Sequence, residues 1–203
     1  MEMLKATEGV NTHKGLIFSL GILLAATTRL IREGMKIGIK GNSVIVCEEV
    51  KKITKGLCRD DFKDLHKKKK LTHGEFIYMK YGIKGIRGEV EDGFLTVRNW
   101  ALPVFQREKI KIHGLNKILL QVLMNLMAYN QDTNIISRGG LEGLSYVKEE
   151  ANKFLSLGGI DNKECYGYLS SLNEEFIRKN ISPGGTADLL AVAIFLALID
   201  GLI

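Results

Sequence analysis

Six stretches of this 203-residue chain repeat apolar side chains at three- and four-residue spacing, and almost nowhere do apolar and polar residues alternate. A period near 3.6 belongs to helices and a period of two to half-buried strands, so the pattern argues against a sheet before any other property is weighed. Alternation is confined to Phe94-Leu95-Thr96-Val97, too short a run to build one. Only two prolines interrupt the chain, and aromatics make up 7% of it, which argues against both a disordered protein and a many-turned β-sandwich. The expected class is all-α: a multi-helix bundle joined by short Gly-rich turns, folded as one domain over residues 1–203.

The run 13–33 carries Leu16, Leu20, Leu23 and Leu24 and is apolar on nearly every side, so it reads as a central helix. Ser43 is placed to cap a helix through residue 55 with Val46, Val50 and Ile53 as its stripe. Further helices are expected over 115–129, over 140–157 with Gly158-Gly159 as the stop, over 162–179, and from Pro183 to the C-terminus. Shorter ones are expected at 59–66, 72–80 and 100–109. Residues 15–28 are too few to cross a bilayer, and 184–203 carry Asp188 and Asp200 at depth, so both runs read as buried helices rather than membrane spans. No signal peptide is visible, and Cys47, Cys58 and Cys165 fall into neither a metal motif nor a disulfide framework. The expected setting is the cytoplasm, with the thiols inert.

Twenty-nine basic against 23 acidic residues leave a formal charge of +6, which favours an anionic partner. A nucleic acid is the weakest choice, because neither interleaved aromatic side chains nor a basic helix face is evident; Lys67 to Lys70 read as a solvated helix end. The 22 glycines point elsewhere. They gather with polar residues where helices begin: 8–15 (EGVNTHKG), 85–89 (GIRGE), 132–134 (DTN), 138–140 (RGG) and 182–188 (SPGGTAD). A helix start exposes unpaired N–H groups and the positive end of its dipole, and glycine lets an anion approach that backbone closely. Five such starts in one chain suggest a polyphosphate site.

Four of these stretches, GVNTHKGLIFSLG (9–21), YGIKGIRGEVEDGF (81–94), DTNIISRGGLEGL (132–144) and SPGGTADLLAVAIFL (182–196), resemble the signature blocks of the triphosphoribosyl-dephospho-coenzyme A synthase family, in the family's order and over most of the chain. That enzyme makes the prosthetic-group precursor of citrate lyase, and a close relative serves malonate decarboxylase. The resemblance implies a transferase. The 2'-hydroxyl of 3'-dephospho-CoA attacks the ribose C1 of ATP, adenine departs, and the triphosphate stays intact. ATP and 3'-dephospho-CoA are then the small-molecule partners, with neither nucleic acid nor membrane among them. Mg²⁺ is the expected ion on the triphosphate. Family members continue upstream of the first block, so the likeness reads this chain as an N-terminally short member. Missing cover would then come from a homo-oligomer or from a second chain. The alternative function is a catalytically impaired or split-enzyme subunit that binds nucleotide or CoA.

Such a transfer needs cations on the phosphates, an acceptor for the hydroxyl proton, and negative charge near the oxocarbenium-like ribose. Lys14, Arg87 and Arg138, with the backbone of Gly139, Gly140, Gly184 and Gly185, are the expected phosphate grips. Glu89, Asp132 and Asp188 are the candidates for general base or Mg²⁺ ligand; Asp92 joins them as a ligand, three residues after Glu89 on one helix face. Glu8 is a weaker candidate. His13 is the expected proton carrier, because histidine titrates near neutrality without special tuning. Asp188 stands three residues into an otherwise apolar helix, where a carboxylate needs a partner.

Overall fold

The computed structural model describes residues 13–107 and 110–203, with the backbone alone at 110 and 111. In chain order the helices are α1 Lys14–Arg32, α2 Asn42–Ile53, α3 Leu57–Phe62, α4 His73–Tyr81, α5 Ile86–Glu91, α6 Leu102–Arg107, α7 Ile110–His113, α8 Leu115–Tyr129, α9 Thr133–Ser156, α10 Cys165–Arg178 and α11 Gly184–Ile199. Single 3₁₀ turns stand at Leu65–Lys67 and Gly159–Asp161, and a π-helical turn at Val97–Ala101 leads into α6. No strand occurs among the described residues, and the fold is all-α as the periodicity predicts.

The core forms around α8 and α11. Ile118, Val122, Met124, Leu126 and Met127 of α8 meet Leu189, Val192, Ala193, Leu196 and Ala197 of α11, all buried. Burial of each large side chain is worth about 1.5–3 kcal/mol, so these two helices contribute heavily to the fold's cohesion. Around it α9 packs on α8, α1 on α2 and α11, and the π-turn on both α8 and α11. All three cysteines are buried, free thiols.

The long run at 14–32 is a helix but not a central one. Only Ser19, Leu23, Ala26 and Thr27 of α1 are buried, while Ile17, Leu24 and Ile31 stand 67, 54 and 43% exposed at seven-residue intervals. α11, the more apolar of the two and apolar on nearly every side, takes the central place instead, while α1 buries one side and exposes the other. With Arg29 and Arg32 included, α1 has 19 residues and, by length and composition, is long and apolar enough to cross a membrane; 22% of its apolar window is buried within the fold. The shorter run read from the sequence misses this because it stops before the arginines.

Two helix starts differ from expectation. Gly41, not Ser43, caps α2; Ser43 lies in its first turn, and its N–H and hydroxyl both donate to Asp200, at 2.7 and 2.8 Å. The carboxylate that ends α11 therefore closes the beginning of α2. α9 begins at Thr133 rather than 140, and Gly140, with φ 65° and ψ −166°, is a kink inside it. The helix expected from 140 is the segment that follows this break, and a further segment, 133–139, precedes it; the break is a conformation that residues with a Cβ seldom adopt.

Candidate functional site

Asp132 decides where the polar residues gather. It is the N-cap of α9, with one carboxylate oxygen accepting from the N–H groups of Asn134 (2.8 Å) and Ile135 (3.4 Å). Its other oxygen accepts from the N–H and the hydroxyl of Thr186, at 2.7 and 2.8 Å, in the first turn of α11. One carboxylate thus caps two helices at once, satisfying orphan N–H groups on both and meeting the positive end of both dipoles. Asn130, between α8 and α9, donates its side-chain amide to the Thr186 hydroxyl at 3.1 Å. Asp132 is 2% exposed. Burial pushes its carboxyl above the usual range, against the opposing pull of its four donors.

Glycines make this junction possible. A Cβ on Gly184 would stand 2.8 Å from the Asn134 amide nitrogen, and one on Gly185 2.9 Å from an Asp132 oxygen. At Gly15, in the first turn of α1, it would collide with Asp188 Oδ2; at Gly85, where φ is +57°, it would fall 2.9 Å from the methyl of Thr133. The expectation that glycine opens these starts to an outside anion therefore needs amending. At these four positions it first admits the protein's own carboxylates, amide and threonine, and so draws the starts of α1, α5, α9 and α11 together.

Asp188, half-buried one turn into α11, faces the start of α1. Its carboxyl is raised to about 6, first by burial and next by the neighbouring Asp132 charge, with His13 pulling the other way. His13 is the exposed N-cap of α1 and makes no capping hydrogen bond; Lys14 follows it, also exposed. The structure thus brings Asp132, Asp188, His13, Gly184 and Gly185 into one neighbourhood, with Lys14 at its edge.

The other expected site residues have partners of their own. Glu89, largely buried and raised by that burial, accepts from the Thr96 N–H (3.2 Å) and from its hydroxyl. Asp92 is the exposed C-cap of α5 and lies close enough for its charge to act on Glu89. Arg87 pairs with Asp61 and lies over the Phe62 ring. Arg138 donates to Asn180 at 3.2 Å, and Gly139 faces Ile181, in the loop that leads into α11; Gly140 is the kink. Glu8 falls outside the described residues. No group of three or more His, Cys, Asp or Glu side chains placed to hold a metal occurs among the described residues.

A family model described as ATP:dephospho-CoA triphosphoribosyl transferase matches residues 1–203. The chain belongs to this family. It is 45% identical over 196 residues to a Salmonella gallinarum protein named "Probable 2-(5''-triphosphoribosyl)-3'-dephosphocoenzyme-A synthase". Klebsiella pneumoniae has a 2-(5''-triphosphoribosyl)-3'-dephosphocoenzyme-A synthase 43% identical over the same length. Each alignment covers 97% of this chain and 63% of the relative, so the chain spans somewhat under two thirds of their length. A Streptococcus equi relative, 38% identical over 204 residues, is covered to 69%. No solved structure matches.

Thr186, Asn130, Asn134 and Gly15 are the members of the junction that sequence reasoning passes over. Thr186, Asn134 and Gly15 lie inside the signature-like blocks, but nothing in their spacing shows that they meet Asp132, Gly184 and Asp188. Replacing Asp132 by Asn turns one acceptor oxygen into a donor and sets it against an N–H of either α9 or α11. Asp132→Asn is expected to cost about 3 kcal/mol in urea unfolding, and Thr186→Val about 1–2 kcal/mol. A loss under about 1 kcal/mol for Asp132→Asn would show that the double cap holds nothing together.

Proposed function

We propose that this chain carries the triphosphoribosyl transfer for which its relatives are named, joining the triphosphoribosyl group of ATP to the 2'-hydroxyl of 3'-dephospho-CoA with release of adenine. The observation that carries the reading is the junction at Asp132, where two helix starts share a carboxylate and a third is drawn in by Asp188 against Gly15. Lys14 and the first turns of α1 and α11 offer the positive field a triphosphate needs.

In this reading Asp188 is the general base. Raised to about 6, it is mostly ionised at neutral pH yet basic enough to accept the hydroxyl proton as the new glycosidic bond forms. Its charge also faces the electron-poor ribose. His13 supplies the proton that adenine takes up on leaving. Asp132, its acceptor positions filled, positions these groups. Mg²⁺ keeps several waters and takes substrate phosphates as ligands, so with Asp188 given to the proton the triphosphate and waters would hold the ion. When bound it would supply neutralising charge on the phosphates. Lys14 remains the first phosphate grip, and Arg138, beside the loop into α11, the second.

The exposed stripe of α1, Ile17, Leu24 and Ile31 with Gly21 and Ala25 between, supports a homo-oligomer in which the same helix of a second copy covers it. Gly21 and Ala25 leave room for close approach. Light scattering at micromolar concentration is expected to give a dimer that Leu24→Lys converts to monomer; a wild-type monomer contradicts the pairing.

The transfer is tested by incubating the chain with ATP, Mg²⁺ and dephospho-CoA and measuring free adenine. Release is expected, with a rate that climbs as pH passes through about 6 and a loss of at least 100-fold in Asp188→Asn. Saturable binding of both substrates without adenine would favour the binding-subunit alternative. The same variant has a stability signature. A carboxyl raised by folding favours the fold below its unfolded pKa of about 4, and that contribution is lost as pH rises through about 6. Asp188→Asn should therefore be more stable than wild type at pH 7, by about 1 kcal/mol after solvent screening, and no more stable at pH 4.

A further inference from the structure

Trp100 is the only tryptophan in the chain, and its ring lies flat on that of Tyr129, with centroids 3.4 Å apart and planes 5° from parallel. The two residues remain 38 and 39% exposed even so. The other stacked pair, Phe62 on Tyr78, is of a different kind. Phe62 is buried, the pair belongs to a small apolar cluster with Cys58, Leu65 and Leu71, and Arg87 covers the Phe62 ring. Trp100 and Tyr129 belong to no such cluster. Large flat side chains are ordinarily placed where their area is covered, and this pair leaves more than a third of its area open to water.

The pair is also held with care. Trp100 sits in the π-helical turn Val97–Ala101, a geometry rare in proteins and concentrated at functional sites. The approach to that turn is strained. Gly93 and Phe94 both have positive φ, 66 and 57°, and Phe94 is fully buried in a conformation costly for a bulky residue. Glu89 fixes the turn's start through its two bonds to Thr96. Tyr129, on the other side, is the last residue of α8; the next residue, Asn130, binds Thr186, and Asp132 lies three residues along, within about 11 Å of chain reach. An exposed aromatic platform is thereby anchored beside the junction of helix starts.

We infer that the Trp100–Tyr129 stack is the docking face for an adenine base whose phosphates lie at the starts of α1 and α11. The inference rests on reading that junction as a nucleotide site. A purine offers a flat π-face to continue the stack, and stacking needs no hydrogen-bond code. Glu89 becomes on this account a positioning residue, acting through Thr96 on the turn that carries Trp100. Both ATP and dephospho-CoA contain adenine, and the experiment separates them.

Because Trp100 is alone, its emission reports on its own surroundings. The full chain is titrated with ATP, with dephospho-CoA and with inorganic tripolyphosphate, following emission and, separately, heat of binding. One or both nucleotides are expected to quench Trp100, and tripolyphosphate to bind without quenching; the nucleotide that quenches names the source of the base. Trp100→Leu, unchanged in far-ultraviolet circular dichroism, should weaken that nucleotide about 5- to 100-fold and leave tripolyphosphate affinity as it was. Tyr129→Phe, which keeps the stack, should behave as wild type. Nucleotides that bind with unchanged emission, and equally well to Trp100→Leu, overturn the platform while leaving the phosphate site standing. A chain that binds tripolyphosphate but no nucleotide overturns it too. Failure of all three ligands to bind overturns the nucleotide reading itself, and the platform with it.

Discussion

A single buried carboxylate holds the polar half of this fold in place. Helix starts repel one another through their like-signed dipole ends, and each carries N–H groups that need acceptors. Asp132 answers both demands for α9 and α11 together, taking two N–H groups from one and an N–H and a hydroxyl from the other. Its negative charge lies where the two positive ends meet, which makes burial of an ionised group tolerable. Gly184 and Gly185 are required because their Cβ positions are already occupied by Asn134 and by Asp132 itself. The neighbouring Asp188 then inherits a raised carboxyl from its burial and from the Asp132 charge. The geometry that joins the helices thus also tunes the group best suited to take a proton.

The apolar half works by area rather than direction. α8 and α11 bury most of their surfaces against each other and their neighbours, and the tail of α11 closes α2 through Asp200 and Ser43. Both ends of α11 are therefore tied by carboxylates, Asp132 at its start and Asp200 at its finish. A helix so fixed is a rigid support for the first-turn residues that the proposed chemistry uses, and rigid support is what positioned catalysis requires.

Much of this was legible in the residues. The all-α class follows from periodicity, and the bounds of α8 are those its apolar spacing predicts. The polar blocks at 13–15, 132–134 and 182–188 do meet, and Gly85 of a fourth stands close against Thr133. Other parts were hidden for identifiable reasons. The position of α1 was not legible because apolar content alone does not say which of two apolar helices is covered from every side, and the side α1 buries includes Ser19 and Thr27. Ser43 misleads because a serine near a helix start is equally compatible with a cap or a first-turn residue, and Gly140 marks a break without showing that another helical segment precedes it. Glu89 and Arg87 stand in a block as rich in charge as the others, yet they bond to Thr96 and Asp61, partners 7 and 26 residues away. Charge in a sequence shows that a partner is needed without showing which. The stacking of Trp100 on Tyr129 is a contact between distant segments that no local pattern encodes.

The claim on which the account stands is that the starts of α1 and α11, organised by Asp132, grip a polyphosphate. Amide hydrogen exchange of the full chain with and without inorganic tripolyphosphate tests it most directly. The account predicts slowed exchange in the first turns of both helices, near 14–17 and 184–187, and loss of that slowing in Asp132→Asn under conditions where the variant remains folded. Protection confined to the segments around Arg87 or Lys67 to Lys70, or protection at the two helix starts that survives the Asp132 change, would contradict it.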